Sequence, residues 1–161
     1  MIFHFSIDAD DPPRVAAAIA RLWRGEVLAF PPVAQGSLIV MAGDHRNSAI
    51  EVYPRGTELR PADGDADAEA HMASPANGHS ATHAAIATPL TAHEVIALAA
   101  AEGWPAKYRK RGGLFGVIEV WLEARLMIEV LTPEMQAEYL AAMTPDGWRA
   151  ALAAGPPPVP A

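Results

Sequence analysis

Two histidines and two glutamates occur at matched positions in this chain. His4 and His83 each precede an isoleucine by three residues and lie 79 positions apart. Glu51 and Glu129 each stand within an Ile-Glu-Val sequence, and these two sequences lie 78 positions apart. Imidazole and carboxylate groups serve both as ligands for divalent metal ions and as proton carriers. The repeat therefore predicts a duplicated module with a shared polar centre that carries the function.

The strands that contain these residues determine where their side chains point. Residues 1–8 alternate apolar and polar side chains, which is typical of a strand with one buried face. If the apolar residues pack beneath a helix, His4 points to the other side of the sheet, and His83 is placed in the same way. The isoleucine and valine that flank Glu51 and Glu129 put both carboxylates on that side as well. We expect all four polar side chains on the faces away from the helices.

Each half of the chain has the order strand, helix, strand, strand, strand. The first helix is predicted to begin at Asp11-Pro12, an N-cap followed by proline at the first helical position, and to end at Gly25. The second helix begins with a capping box at 91–94. We expect one fused domain made of a first module (1–56), an acidic flexible linker (57–80), a second module (81–133), and C-terminal helices with a proline-rich tail (134–161).

Composition narrows the class of protein. The chain has 161 residues, a net charge of −7 and no cysteine, so disulfides and thiolate metal sites are excluded. Residues 57–80 carry five acidic residues against one arginine, and this acidic excess argues against nucleic-acid binding. No signal sequence and no apolar stretch long enough to cross a membrane is evident. We expect a cytoplasmic protein without nucleic-acid or membrane partners.

With these residues and this element order, the chain resembles the vicinal oxygen chelate superfamily, which contains glyoxalase I, extradiol dioxygenases and bleomycin-resistance proteins. The resemblance covers about residues 2–133 and rests on the paired modules, with a histidine on the first strand and a glutamate on the last. It implies an α+β fold whose two βαβββ modules form an eight-stranded open, U-shaped barrel with the helices outside. It also implies a divalent metal (Ni, Co, Zn, Mn or Fe) bound by His4, Glu51, His83 and Glu129.

The resemblance further implies a reaction. The ion would act as a Lewis acid that stabilises an enediolate, while Glu51 or Glu129 serves as general base. This predicts a glyoxalase-type lyase or isomerase that acts on a small α-oxygenated carbonyl substrate. Two alternatives stay open: an extradiol-type dioxygenase, which needs Fe²⁺ with two His and one Glu, and a metal-free small-molecule-binding protein of the drug-resistance type. A homodimer is preferred to a monomer, because the long linker permits module exchange.

Two further sets of residues are candidates for contact with the substrate. Lys107, Arg109 and Arg111 could bind a carboxylate or phosphate group, although a basic edge strand that discourages pairing with other chains is the alternative. Aromatic and methionine side chains could line the pocket, with core packing as the equal alternative. These pocket candidates are Met41, Tyr53, Phe115, Trp121 and Met127.

The orientation of Glu119 depends on a turn that the sequence leaves undecided. If residues 123–125 form a three-residue turn, Glu119 lies beside Glu129 on the polar face. A two-residue turn would move Glu119 to the face that packs against the helices, because a shift of register by one residue reverses the direction of every side chain.

Overall fold

The computed structural model describes residues 3–30, 33–45, 47–60, 69–74 and 83–154. The chain divides into two compact units, Met1–His79 and Ser80–Ala161. None of the helices in these described segments is long and apolar enough to cross a membrane.

The first unit contains one complete βαβββ module. Its elements are β1 (His4–Ala9), α1 (Pro12–Trp23), β2 (Glu26–Ala29), β3 (Leu38–Met41) and β4 (Ala49–Pro54). The sheet order is β1-β4-β3-β2; β1 and β4 run parallel, and the other neighbours are antiparallel. The Asp11 carboxylate caps α1 by accepting a hydrogen bond from the Arg14 amide at 3.1 Å. The apolar face of α1 contacts β3 and β4, which forms the core of this unit.

The first strand begins later than the alternation predicts. Ile7 is buried and Phe5 is half-buried, as expected for side chains beneath a helix. Phe3, in contrast, precedes β1 and is 55% exposed, so its predicted place in the core is wrong. Its backbone carbonyl still accepts a hydrogen bond from the Ala49 amide, because the main-chain ladder continues one residue beyond the buried face.

The end of α1 differs from the predicted glycine stop. Arg24 adopts the left-handed conformation, with φ of 53°, and its amide donates to carbonyl groups of the last helical turn. Gly25 is required for a different reason: a Cβ atom there would lie 2.2 Å from the carbonyl oxygen of Met41 in β3. The glycine therefore permits the close approach of two backbones and does not supply a positive φ.

Gly25→Ala is expected to lower the free energy of unfolding by about 2–4 kcal/mol, because the new methyl group meets main-chain atoms that cannot rotate away. Urea denaturation monitored by circular dichroism measures the loss. Gly103→Ala is the control, because that glycine has φ of 70° and open space around it, so only backbone strain of about 1 kcal/mol is expected. Equal losses for the two variants would contradict the prediction.

Part of the predicted flexible linker forms a strand pair. β5 (Thr57–Arg60) and β6 (Glu69–Met72) pair antiparallel, with Thr57 opposite Met72. The prediction of an unstructured segment is wrong for these two stretches. Both alternate polar and less polar residues, a strand signal that the acidic composition concealed. Residues 61–68 and 75–80 of the predicted linker lie outside the described residues.

The second unit repeats the module and adds two helices. Its elements are β7 (Ala84–Ala87), α2 (Ala92–Ala101), β8 (Ala106–Arg111), β9 (Phe115–Leu122), β10 (Leu126–Leu131), α3 (Pro133–Ala142) and α4 (Pro145–Ala154). The sheet order β7-β10-β9-β8 and its parallel β7–β10 pair match the first unit strand for strand. The predicted α+β fold with two βαβββ modules and C-terminal helices is therefore confirmed. The predicted proline-rich tail at 155–161 lies outside the described residues.

Candidate functional site

Glu51 is a buried acid in the middle of β4. Its neighbours Ile50 and Val52 are fully buried on the face that packs against α1, so strand alternation turns the carboxylate to the opposite face. His4 lies on the same face of the adjacent strand β1, and its Nε2 is 3.8 Å from Glu51 Oε1. The His4 side chain is 60% exposed, whereas that of Glu51 is only 10% exposed. The first unit thus brings together its predicted histidine and glutamate.

Two hydroxyl groups hold the other oxygen of Glu51. Ser6 Oγ donates to Glu51 Oε2 at 2.9 Å, and the Tyr53 hydroxyl donates to the same oxygen. Ser6 Oγ also lies 3.2 Å from the Tyr53 hydroxyl. We call His4, Ser6, Glu51 and Tyr53 the Glu51 cluster. Oε2 of Glu51 thus accepts the two hydroxyl hydrogen bonds, and Oε1 is the oxygen that faces His4.

Burial raises the pKa of the Tyr53 phenol, and the hydrogen bond to Glu51 raises it further, although the Ser6 hydroxyl acts in the opposite sense. A raised pKa means that the folded state keeps this proton at a pH where the unfolded chain has lost it. The stabilisation that comes from keeping this proton is fully present below pH 10, the ordinary pKa of tyrosine. It is lost as the pH rises above that value.

Tyr53→Phe is expected to abolish this loss of stability above pH 10, because phenylalanine has no proton to release. Urea midpoints measured from pH 8 to 11 test the effect. Tyr108→Phe, which removes an exposed tyrosine of the second unit, is the control and should leave the alkaline loss in place. An unchanged alkaline loss in Tyr53→Phe would contradict the assignment.

In the second unit, Glu129 lies directly opposite Glu119. The turn between β9 and β10 contains three residues, 123–125, and Leu126 pairs with Leu122. Glu123 and Ala124 both adopt the left-handed conformation that this turn requires, with φ of 49° and 56°. The register places Glu119 and Glu129 on one face as a cross-strand pair, and both side chains are buried. The three-residue alternative for Glu119 is therefore correct.

Arg111 joins the two carboxylates. Its Nε donates to Glu129 Oε1 at 2.8 Å, its Nη2 donates to the same oxygen, and Nη2 lies 2.9 Å from Glu119 Oε1. Lys107 Nζ lies 3.8 Å from Glu119 Oε2. Burial alone would lower the pKa of Arg111, because it disfavours the charged guanidinium. The hydrogen bonds and negative charge of Glu129, with a smaller contribution from Glu119, outweigh this effect and raise the pKa of Arg111. Arg111 is thus an ion-pair partner of the predicted ligand Glu129. We call Arg111, Glu119 and Glu129 the Arg111 bridge.

His83 occupies the position in its unit that His4 occupies in the first. Ala84 pairs with Ile128 across β7 and β10, so His83 lies level with Met127, two residues before Glu129. His4 is likewise level with a residue two positions before Glu51. The His83 side chain is exposed. The strand register is therefore the same in both modules.

The residues around the two glutamates, in contrast, have diverged. The positions of Ser6 and Tyr53 are occupied in the second unit by Ala85 and Leu131, which have no hydroxyl group. The position of Ile39, which pairs with Glu51, is occupied by Glu119. Glu129 therefore receives a guanidinium where Glu51 receives two hydroxyl groups.

Tyr53, Lys107 and Arg111 are among the predicted substrate-contact residues and lie beside the glutamates, as described above. The other five fall into three groups. Met41, Trp121 and Met127 are half-buried and share a sheet face with the glutamate of their own unit. Phe115 is buried and packs edge-on against Tyr139 of α3, with ring centroids 4.9 Å apart, which is a core contact. Arg109 is exposed on the edge strand β8.

In the first unit, the histidine and the glutamate are close enough to bind one divalent ion. The 3.8 Å between His4 Nε2 and Glu51 Oε1 is shorter than two metal–ligand bonds of about 2.1 Å placed end to end, so one ion can bind both atoms. Imidazole and carboxylate suit Ni, Co, Zn, Mn and Fe. Within the described segments, no group of three or more His, Cys, Asp or Glu residues is placed to hold a metal ion. The predicted four-residue ligand set therefore stays a prediction.

The sequence analysis missed Ser6 as a partner of Glu51 and the ion pairs of Arg111. Ser6 had a signal, because it lies two residues after His4 and so shares its face of β1. The ion pairs of Arg111 had no such signal in the sequence. Arg111 is paired with Phe115 in the sheet, and it reaches Glu129 only through the length of its side chain.

No protein family model matches this chain. No curated protein matches it in sequence. Solved structures match it in fold. Fosfomycin resistance protein FosX from Listeria monocytogenes, complexed with Mn(II) and sulfate, is 11% identical with a TM-score of 0.56 and coverage of 88% of this chain and 96% of that chain. Lactoylglutathione lyase from Agrobacterium tumefaciens is 15% identical with a TM-score of 0.51, and the match covers 81% of this chain and 91% of that chain. Glyoxalase I from Leishmania major is 16% identical with a TM-score of 0.53, and the match covers 94% of this chain and 98% of that chain.

Proposed function

For a chain with the fold of the vicinal oxygen chelate superfamily, we propose a divalent-metal-dependent enzyme of glyoxalase type. It is a lyase or an isomerase that acts on a small α-oxygenated carbonyl compound. The proposed ligands are His4 and Glu51 in the first unit and His83 and Glu129 in the second. The observation that carries the proposal is the Glu51 cluster, in which a buried carboxylate keeps one oxygen directed at a histidine.

The names of the matched structures support this class of activity. They include a lactoylglutathione lyase, a glyoxalase I, and a resistance protein complexed with Mn(II). A bound divalent ion would supply Lewis-acid stabilisation of the negative charge that develops on neighbouring substrate oxygens during proton transfer.

The residues of the Glu51 cluster divide the remaining work. Ser6 and Tyr53 hold Oε2 and so orient the carboxylate, as groups behind metal ligands commonly do. Glu51 is the better candidate for general base, because its hydrogen-bond donors are neutral hydroxyl groups, whereas Glu129 is paired with the charged guanidinium of Arg111. The exposure of His4 leaves this side of the cluster open to an incoming ligand.

Calorimetric titration of metal-stripped protein with Mn²⁺, Ni²⁺ and Co²⁺ tests the proposal. We expect binding with micromolar or lower Kd for at least one of these ions, and a loss of at least about 100-fold in His4→Ala. His71→Ala is the matched control, because His71 also lies near a glutamate, Glu69, but both side chains are exposed on the β5–β6 strand pair. The absence of binding for all three ions would remove the proposal.

One observation favours a second candidate, a metal-free small-molecule-binding protein. Arg111 neutralises Glu129 without any metal, as a protein that had lost metal dependence would require. Under this alternative, a hydrophobic ligand binds equally well with EDTA present and to a His4→Ala/His83→Ala variant. Under the first proposal, both changes weaken the binding of a carbonyl substrate. A homodimer and a cytoplasmic location stay predictions, and sedimentation measures the first of them.

A further inference from the structure

The two glutamates of the repeat are compensated in different ways. Glu51 accepts hydrogen bonds from neutral hydroxyl groups, which orient it without occupying the oxygen that faces His4. Glu129 is neutralised by a full positive charge on its Oε1. A cation that binds at Glu129 through that oxygen therefore competes with the guanidinium of Arg111. Within the described segments, no lysine or arginine side chain competes in this way at Glu51.

The Arg111 bridge contains a second acceptor for that guanidinium. The same Nη2 that contacts Glu129 lies 2.9 Å from Glu119 Oε1, and Glu119 is buried directly across the strand pair. Arg111 is at the end of the edge strand β8, and its side chain is 35% exposed, so one side of it is open to solvent. The guanidinium of Arg111 can therefore leave the Glu129 oxygen and stay paired with Glu119 through rotation of the arginine side chain.

The charges favour such an exchange over complete release of the arginine. Breaking a buried ion pair is costly when a charge is left without a partner. If Arg111 moves to Glu119 while a divalent cation binds Glu129, both buried carboxylates keep a counter-charge. Lys107 is 3.8 Å from the other oxygen of Glu119 and faces the same bridge, so Glu119 receives positive charge from two sides.

We propose that Arg111 is an internal counter-ion that occupies Glu129 in the metal-free protein and passes to Glu119 when a divalent cation binds. The inference rests on the proposed metal dependence. It makes Arg111 a positioning residue that sets the affinity for the cation, and Glu119 the acceptor that allows the exchange.

Titration of metal-free protein with Mn²⁺ tests the exchange. Arg111→Met removes the competitor and should raise the Mn²⁺ affinity about 10-fold or more. Glu119→Gln removes the negative charge that would hold the displaced guanidinium and should lower the affinity about 10-fold. In the double variant, the effect of Glu119→Gln should shrink to about 3-fold, because no arginine is left to be accepted. Equal effects of Glu119→Gln in the two backgrounds, or an unchanged affinity in Arg111→Met, would overturn the proposal.

Lys110→Met is the matched control for these titrations. It removes a positive charge from the neighbouring position of β8, but Lys110 pairs with Glu138 of α3 and not with the bridge. Its Mn²⁺ affinity should stay within about 2-fold of the parent. Arg111→Lys keeps the positive charge, so its Mn²⁺ affinity should lie between those of the parent and Arg111→Met. A variant that is misfolded would not give this intermediate affinity.

A metal-free measurement separates this inference from the proposed function. Without metal, Arg111→Met leaves the two buried carboxylates with Lys107 as their one cationic partner among the described residues, so its urea midpoint should fall by about 1 M. The urea midpoint of Lys110→Met should not change. If no variant binds Mn²⁺, Ni²⁺ or Co²⁺, the proposed function and the exchange both fail, and the urea midpoints alone decide whether Arg111 is a counter-ion. If Mn²⁺ binds equally to parent and Arg111→Met, the exchange fails and the proposed function stands.

Discussion

Glu51→Gln is expected to lower the Mn²⁺ affinity by at least about 100-fold, or ~2.7 kcal/mol, and to remove most of the turnover. Ser6 and Tyr53 both donate hydrogen bonds, so the amide oxygen of the new glutamine will be drawn to them. The amide NH₂ group then faces His4, and an NH₂ group is not a metal ligand. Because glutamine has the same shape and keeps both hydrogen bonds, we expect the stability to change by less than about 1 kcal/mol.

Glu58→Gln is the control for this substitution. Glu58 is an exposed strand residue of the same unit and pairs with Arg60 at the surface, so its loss should leave metal affinity unchanged. Calorimetry gives the affinity, and circular dichroism confirms that each variant is folded. A Glu51→Gln protein that binds Mn²⁺ as tightly as the parent would show that Glu51 is not a ligand.

Removal of the divalent metal with a chelator is expected to abolish turnover of α-oxygenated carbonyl compounds and to lower the thermal midpoint. A ligand present at 100 times its Kd stabilises the folded state by about 2.7 kcal/mol. For a chain of this size, such a loss corresponds to a fall of about 5–10 °C. Differential scanning calorimetry with and without EDTA, followed by addition of Mn²⁺, Ni²⁺ or Co²⁺, measures both the loss and its recovery.

The His4→Ala/His83→Ala variant supplies the comparison for the chelator experiment. Because it lacks both proposed imidazole ligands, its thermal midpoint should be the same with and without EDTA. If EDTA changes neither the midpoint nor the turnover of the parent protein, metal dependence is excluded and the metal-free binding protein becomes the better candidate.

The local patterns of the sequence were sufficient to predict the modules and the direction of Glu51. A period of two residues in β4 places Ile50 and Val52 under α1, so Glu51 must face away from it whatever the rest of the chain does. The repeat of this pattern around Glu129 predicted the second module in the same way. Composition misled the prediction at β5 and β6, where acidic residues concealed a short alternation.

Only the tertiary structure decided which groups meet these glutamates. The register of β9 on β10, set by a three-residue turn with two left-handed residues, brings Glu119 to Glu129. The reach of Arg111 across three strands, and the approach of Met41 that makes Gly25 necessary, depend on distances between residues remote in the chain. Periodicity determines the face on which a side chain lies, because it is a property of one strand. A partner on that face is determined by register and packing, which involve several strands at once.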